Sequence, residues 1–201
     1  GADATLQGTI DFDGKDKVYA SGEASMSKFA WGIVGTLSTS SSAVPPTRDW
    51  GTSFVLPVGQ NTLNSGAQFQ ISNLSIIAKE NNTVVTIDRD ASGSVDITVT
   101  LNEGETYYVD SRQGATVIPV SEGATINATK DIQVMLMTGD YNSVYAGRTF
   151  ALNPTATLAN TYFMPGVPQE SVRVYLYNPT GSAITVTRTT AGGATVNINV
   201  P

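Results

Sequence analysis

Residues 172–200 read VRVYLYNPTGSAITVTRTTAGGATVNINV, and residues 74–101 read LSIIAKENNTVVTIDRDASGSVDITVTL. The same pattern is written twice. Val85 and Ile87 match Ile184 and Val186, while Ile97, Val99 and Leu101 match Val196, Ile198 and Val200; every pair is 99 residues apart. Upstream, Leu56-Pro57 in SFVLP matches Met164-Pro165 in YFMP. Alternating apolar and Thr-rich positions are the mark of strands with one buried face, and a fixed internal period points to repeated units. The reading is all-β: two tandem β-sandwich units, Ig-like or jelly-roll-like, at residues 1–102 and 103–201 and related by the repeat.

The remaining chain fits that frame. Residues 5–20 contain Asp13-Gly14, a hairpin turn signal with Lys17 to Ala20 as the return strand. KFAWGIVGTL at 28–37 reads as a buried strand, and the serine run at 38–42, followed by Val44-Pro45-Pro46, reads as a surface loop. Leu74 to Ala78 and Val84 to Asp88 flank Glu80-Asn81-Asn82, which predicts a hairpin. Thr106 to Val109, Ala115 to Val120 and Thr125 to Ala128 read as short strands. IQVMLMT at 132–138 is apolar on both faces and predicts a central strand. Long stretches at 35–51 and 139–160 fall at matching places in the two units, where binding loops are expected.

Composition narrows the function. The chain has 201 residues, no cysteine and no histidine, with 17 acidic and 11 basic residues. Without cysteine there is no disulfide framework or thiol chemistry, and without histidine the commonest general base is missing. Both halves are mildly acidic, which argues against a nucleic-acid partner. No apolar run approaches the ~18 residues of a membrane span.

Residues 104–109 (GETYYV), 114–117 (GATV) and 124–140 (ATINATKDIQVMLMTGD) resemble the repeat of the IgG-Fc-binding-protein N-terminal family, and WGTSFVLP at 50–57 resembles that family's aromatic-rich extended segment. The resemblance covers about half the chain. It implies an extracellular β-sandwich module in a cell-surface or secreted protein and no catalytic residues.

Three sets of residues are candidates for chemistry or contact. Asp11, Asp13 and Asp16 surround a glycine turn and offer oxygen ligands for calcium, although Lys15 falls where an EF-hand loop needs a ligand. Asp88 and Asp90 read as solvated surface. Trp50, Tyr141, Tyr145 and Tyr162 lie in or beside the long stretches and offer faces for a glycan, or anchors for a protein. Thr5, Leu6, Ile10 and Phe12 at one end, with Val196 and Ile198 at the other, mark terminal strands whose open edges can pair with a neighbour. Sequons at Asn73, Asn81 and Asn127 occur at the rate expected by chance in so Ser/Thr-rich a chain.

The function expected is a non-enzymatic structural module that self-assembles into a surface layer, filament or stalk, or spaces an adhesive tip, without a cofactor other than calcium. Partners would be further copies or other surface proteins, at the cell surface, in the extracellular space or on a virion. A glycan- or host-protein-binding module and a virion decoration or capsid protein are the alternatives.

Overall fold

The computed structural model describes residues 18–31, 39–63, 66–113, 116–140, 147–164 and 173–201. These form strands β1 (Ser27–Trp31), β2 (Thr39–Ala43), β3 (Gly51–Val55), β4 (Ile71–Ala78), β5 (Thr83–Asp88), β6 (Ile97–Leu101), β7 (Thr106–Val109), β8 (Arg112–Gln113), β9 (Thr116–Val117), β10 (Thr125–Gly139), β11 (Arg148–Ala151), β12 (Ile184–Thr189) and β13 (Thr195–Val200). Among the described residues, helix is confined to single 3-10 turns at Thr47–Asp49 and Thr155–Thr157. The protein is all-β.

The spine is β10, 15 residues long. Its first part pairs with β5 on one side and β3 on the other; its second part pairs with β4 and β11. Outside these, β6 pairs with β5 and β7 with β4. β4 and β5 do not pair with each other. They run on in the same direction, both antiparallel to β10, so the hairpin expected at Glu80-Asn81-Asn82 is instead a corner. The partner strand bends at the same level, where the β10–β3 register slips between Asn127 and Ile132.

Polar side chains hold the corner. Asn82 takes a left-handed φ of 57°. The Val84 amide donates to Thr129 Oγ1 at 3.0 Å, and Lys130 Nζ donates to the Asn81 carbonyl at 2.7 Å. Lys79 and Asp131 form an ion pair at 2.7 Å, about one-third exposed, worth under about 1 kcal/mol. These contacts satisfy backbone groups that a regular ladder would otherwise pair.

The fold-over gives two four-stranded layers, β6-β5-β10-β3 and β7-β4-β10-β11, which share β10 and close one apolar core. Phe54, Leu56, Val85, Ile87 and Ile126 come from the first layer; Leu74, Ile76, Ile132, Val134 and Leu136 come from the second. All ten are fully buried. Each such side chain contributes about 1.5–3 kcal/mol of burial energy. Strands long enough to serve both sheets of a sandwich bend at the corner where they switch, and this is where β10 and the β4–β5 line bend.

Pairing therefore crosses the boundary expected at residue 102. β10 lies beyond it, and β3, β4 and β5 before it. The seven-stranded sheet draws on residues from Gly51 to Ala151 as one body, not as two tandem sandwiches meeting at 102. Two further readings change. The serine run forms β2, antiparallel to β1, where a loop was expected. Thr125–Ala128 and Ile132–Thr138 are one strand instead of two, with IQVMLMT central in the sheet as expected.

Asn73, in the first of the three sequons, is buried. Its Oδ1 accepts from the Ser111 amide (2.8 Å) and hydroxyl (2.7 Å), and its Nδ2 donates to the Tyr108 hydroxyl at 2.6 Å. In the folded chain it ties β4 to the end of β7 and is not a glycan acceptor. Burial raises the Tyr108 pKa above its ordinary value, against the opposing effect of the Asn73 hydrogen bond.

Candidate functional site

The two stretches that share the 99-residue pattern meet different fates. Each forms an antiparallel hairpin: β5 with β6, and β12 with β13. Val85 faces Val99 and Ile87 faces Ile97, whereas Ile184 faces Val200 and Val186 faces Ile198. At the 99-residue offset the second register has slipped by two positions. A slip of two keeps every side chain on its face, whereas a slip of one would invert them.

The β12–β13 hairpin is built locally. The Gly193 amide donates to the Thr190 carbonyl at 2.9 Å and the Thr190 amide to Ala194 at 2.9 Å, with Gly193 at φ +83°. At the open end Asn178 is buried, and its Nδ2 donates to the Ser182 carbonyl at 2.7 Å and the Pro201 carbonyl at 3.3 Å. Thr185, Thr187, Asn197 and Asn199 occupy one face, where Thr187 Oγ1 donates to Asn197 Oδ1 at 2.9 Å. Ile184, Val186, Val196, Ile198 and Val200 occupy the other, with Arg188 on the same face opposite Val196.

That apolar face is uncovered over most of its length. Val85 and Ile87 are 0% exposed, while Ile184, Ile198 and Val196 are 40%, 39% and 53% exposed. The upstream motif repeats the contrast: Phe54 and Leu56 are 0% exposed, and Tyr162 and Met164 are 63% and 57% exposed. Phe163, Val174 and Leu176 are exposed as well. Single exposed apolar residues need no explanation, but a contiguous apolar sheet face is the signature of an interaction surface.

Where the C-terminal region touches the sandwich, contact is through aromatics. Tyr175 packs edge-on against Phe69 with ring centroids 5.1 Å apart. Beside it, Pro57, Asn61, Leu63, Glu122 and Leu176 line an open cleft of about 470 Å³. Its one carboxylate, Glu122, accepts from Thr62 Oγ1 at 2.7 Å, which gives a closed hydrogen bond and not an acid–base pair.

The structure also gathers a carboxylate cluster that the sequence reading left dispersed. Asp88, Asp90 and Asp96 present oxygens within 4.8 Å of one another at the β5–β6 turn. Such an all-oxygen set suits a hard cation. Here the oxygens serve the turn. Asp88 accepts from the Ser92 amide at 3.1 Å and the Gly93 amide at 2.7 Å, and Asp96 accepts from the Arg89 amide at 2.9 Å. Hydrogen bonds from Ser92 lower the Asp90 pKa. The ionised carboxylate thus favours the fold above the ordinary Asp range, and that support is lost as pH falls through the lowered value. Asp88→Ala leaves the Gly93 amide without its acceptor, while the Ser92 amide keeps Asp90 Oδ1 at 3.1 Å, and is expected to cost about 1 kcal/mol in urea denaturation.

Of the residues singled out in the sequence, Trp50 is half-buried and its indole donates to the Pro45 carbonyl at 3.1 Å, so its polar edge is in use. Tyr162 is exposed, and its hydroxyl accepts from the Ala159 amide at 2.8 Å. Val196 and Ile198 lie on the uncovered face of β13. Tyr141, Tyr145, the calcium candidates Asp11, Asp13 and Asp16, and the edge residues Thr5, Leu6, Ile10 and Phe12 lie outside the described residues. Ile184, exposed, and Val186, half-buried, were missed as residues of that face. Their pattern was read correctly as strand, but it carries no sign of whether a partner layer is present.

Among the described residues, no helix is long and apolar enough to cross a membrane. No curated protein and no solved structure gives a significant match. The family model described as IgGFc binding protein matches residues 13–200, nearly the whole sequence, and the chain belongs to that family.

Proposed function

We propose that this chain is a non-enzymatic extracellular module that binds protein through its C-terminal hairpin region. The observation behind this reading is the pair of matched hairpins: in one, Val85 and Ile87 are fully buried and Ile97 and Val99 pack partly buried against the core, while in the other Ile184, Val196 and Ile198 are exposed. A surface of aliphatic side chains, with Tyr162 and Phe163 also exposed in the C-terminal region, suits a protein partner better than a sugar, which needs fixed polar groups beside its aromatic platforms. The family's description supports a binding role and places IgG Fc first among partners to test. The sequence supports the non-enzymatic reading, since it has neither histidine nor cysteine.

Self-assembly is the second reading, favoured by the open edges of the two-stranded β12–β13 sheet. One experiment covers both. Immobilised Fc fragment and sedimentation of the chain alone are each compared with Ile198→Asp and Thr187→Asp. The expected result is association that Ile198→Asp abolishes and Thr187→Asp, on the opposite face, leaves intact. Association insensitive to Ile198→Asp would move the interface elsewhere.

A further inference from the structure

Two neighbours in the 120–124 segment meet the C-terminal region. Gly123 meets Tyr177: a Cβ there would stand 2.9 Å from the Tyr177 hydroxyl, and its φ of +88° favours glycine. Glu122, beside it, lines the cleft with Pro57, Asn61, Leu63, Tyr175 and Leu176. Tyr175 and Tyr177 are half-buried, while Leu176 between them is exposed. The two tyrosines thus hold this segment against the sandwich and keep Leu176 in the cleft wall. The carboxylate opposite is fixed in advance. The Gly59 amide donates to Thr62 Oγ1 at 2.8 Å, and Thr62 Oγ1 donates in turn to Glu122 Oε2 at 2.7 Å. The Glu122 amide donates to Asn61 Oδ1 at 2.6 Å. Hydrogen bonds chained in this way polarise one another and order the last acceptor. Glu122 Oε1 accepts from no group, and among the described residues no cation pairs with Glu122. Arg89, whose carbonyl accepts from the Ser121 amide at 2.8 Å, sends its guanidinium to Asp96 at 3.6 Å.

We infer that this cleft takes an arginine side chain presented by a partner protein. An exposed ion pair adds little binding by itself, so the walls must contribute. Arginine has a methylene stem that packs on apolar surface and a planar fork of donors that matches a carboxylate. Pro57, Leu63 and Leu176 supply the apolar contact, Glu122 supplies the carboxylate, and Tyr175 supplies a ring of the kind on which guanidinium groups stack. At about 470 Å³ the cleft holds more than one side chain, and exposed Leu63 offers contact to the residues beside the arginine. The net charge of −6 favours the approach of a basic partner. This site uses none of the Ile/Val face of β12–β13, so it goes beyond the reading above and either can fail without the other.

The test is an NMR titration of the full chain with acetyl-Gly-Arg-Gly amide and with the same peptide carrying citrulline, which keeps the shape of arginine and lacks its charge. The expected result is saturable shifts at Leu63, Glu122 and Tyr175, with the citrulline peptide bound at least about tenfold more weakly. Glu122→Gln can still accept from Thr62, so its urea midpoint should stay near that of the parent while arginine binding falls by a similar factor. Ile198→Asp, on the hairpin, should bind the peptide as the parent does. Four results would overturn the inference: no saturable binding, equal binding of the citrulline peptide, shifts centred away from the cleft, or undiminished binding by Glu122→Gln. The two peptides are compared on the unaltered chain, so the test stands even where the variant does not fold. If the arginine peptide fails while Fc binding or self-association still depends on Ile198, the hairpin reading survives and the cleft falls.

Discussion

Gly59→Ala is expected to destabilise the protein by about 3 kcal/mol or more, near the upper end for a single substitution. Residues 56–62 cross 120–124 backbone to backbone. The Leu56 amide donates to the Ala124 carbonyl at 3.0 Å, the Gly123 amide to Leu56 at 2.9 Å, and the Gln60 amide to Val120 at 3.0 Å. A Cβ on Gly59 would fall inside van der Waals contact of the Glu122 nitrogen and the Ser121 carbonyl carbon, and 2.6 Å from the Val120 oxygen. None of these is the end of a movable side chain, so the crossing itself must open and lose those hydrogen bonds. Gly51→Ala should cost less, because its Cβ would meet the buried Pro154 ring at 2.7 Å but no backbone atom nearer than 4.0 Å, so no main-chain crossing has to open. Gly192→Ala, with nothing nearer than Thr190 Oγ1 at 3.9 Å, should stay within about 0.5 kcal/mol. Urea midpoints for the three variants, ranked 59, 51, 192, check the argument. A Gly59→Ala midpoint close to that of the parent would mean the two segments do not cross as closely as the structure shows.

Gly59 also shows where sequence stops informing. Nothing local to it says that residues 120–124 pass over it. The same limit recurs at the corner. Glu80-Asn81-Asn82 looks like a hairpin turn because it sits between two alternating strands. Alternation specifies which face a side chain takes and says nothing about which strand lies alongside. β4 and β5 both choose β10, so the turn residues serve a bend. β10 was read in two pieces because Thr129, Lys130 and Asp131 interrupt its apolar pattern. Those three residues are polar because they hold the corner, and the strand runs through them. By contrast, IQVMLMT could be placed from composition alone, since a strand apolar on both faces has to sit inside a sheet. Asp96 could not be joined to Asp88 and Asp90 in advance, because only the fold of the β5–β6 turn brings it back to them.

The matched hairpins give the other large expected effect. A two-stranded hairpin has little stability alone, and one covered by a sandwich shares the stability of the whole domain. Amides within β5–β6 should therefore exchange only when the core opens, and those of β12–β13 by local fraying. With a domain stability of several kcal/mol, the two sets should differ by about a thousandfold or more in protection. Substitution should show the same asymmetry. Ile87→Ala empties a fully buried site and is expected to cost about 2–5 kcal/mol, while its counterpart Val186→Ala, on the open face, should cost under about 0.5 kcal/mol. Equal protection in the two hairpins would show that the second is already covered in solution, and sedimentation would then show whether a second copy covers it. Unequal protection leaves an amphipathic hairpin, with Ile and Val on one face and Thr and Asn on the other, that local sequence has shaped for burial and that this chain's described residues do not bury. A partner that covers Ile184, Val186 and Ile198 should then raise the cost of Val186→Ala toward that of Ile87→Ala, because the two side chains differ in their surroundings far more than in their chemistry.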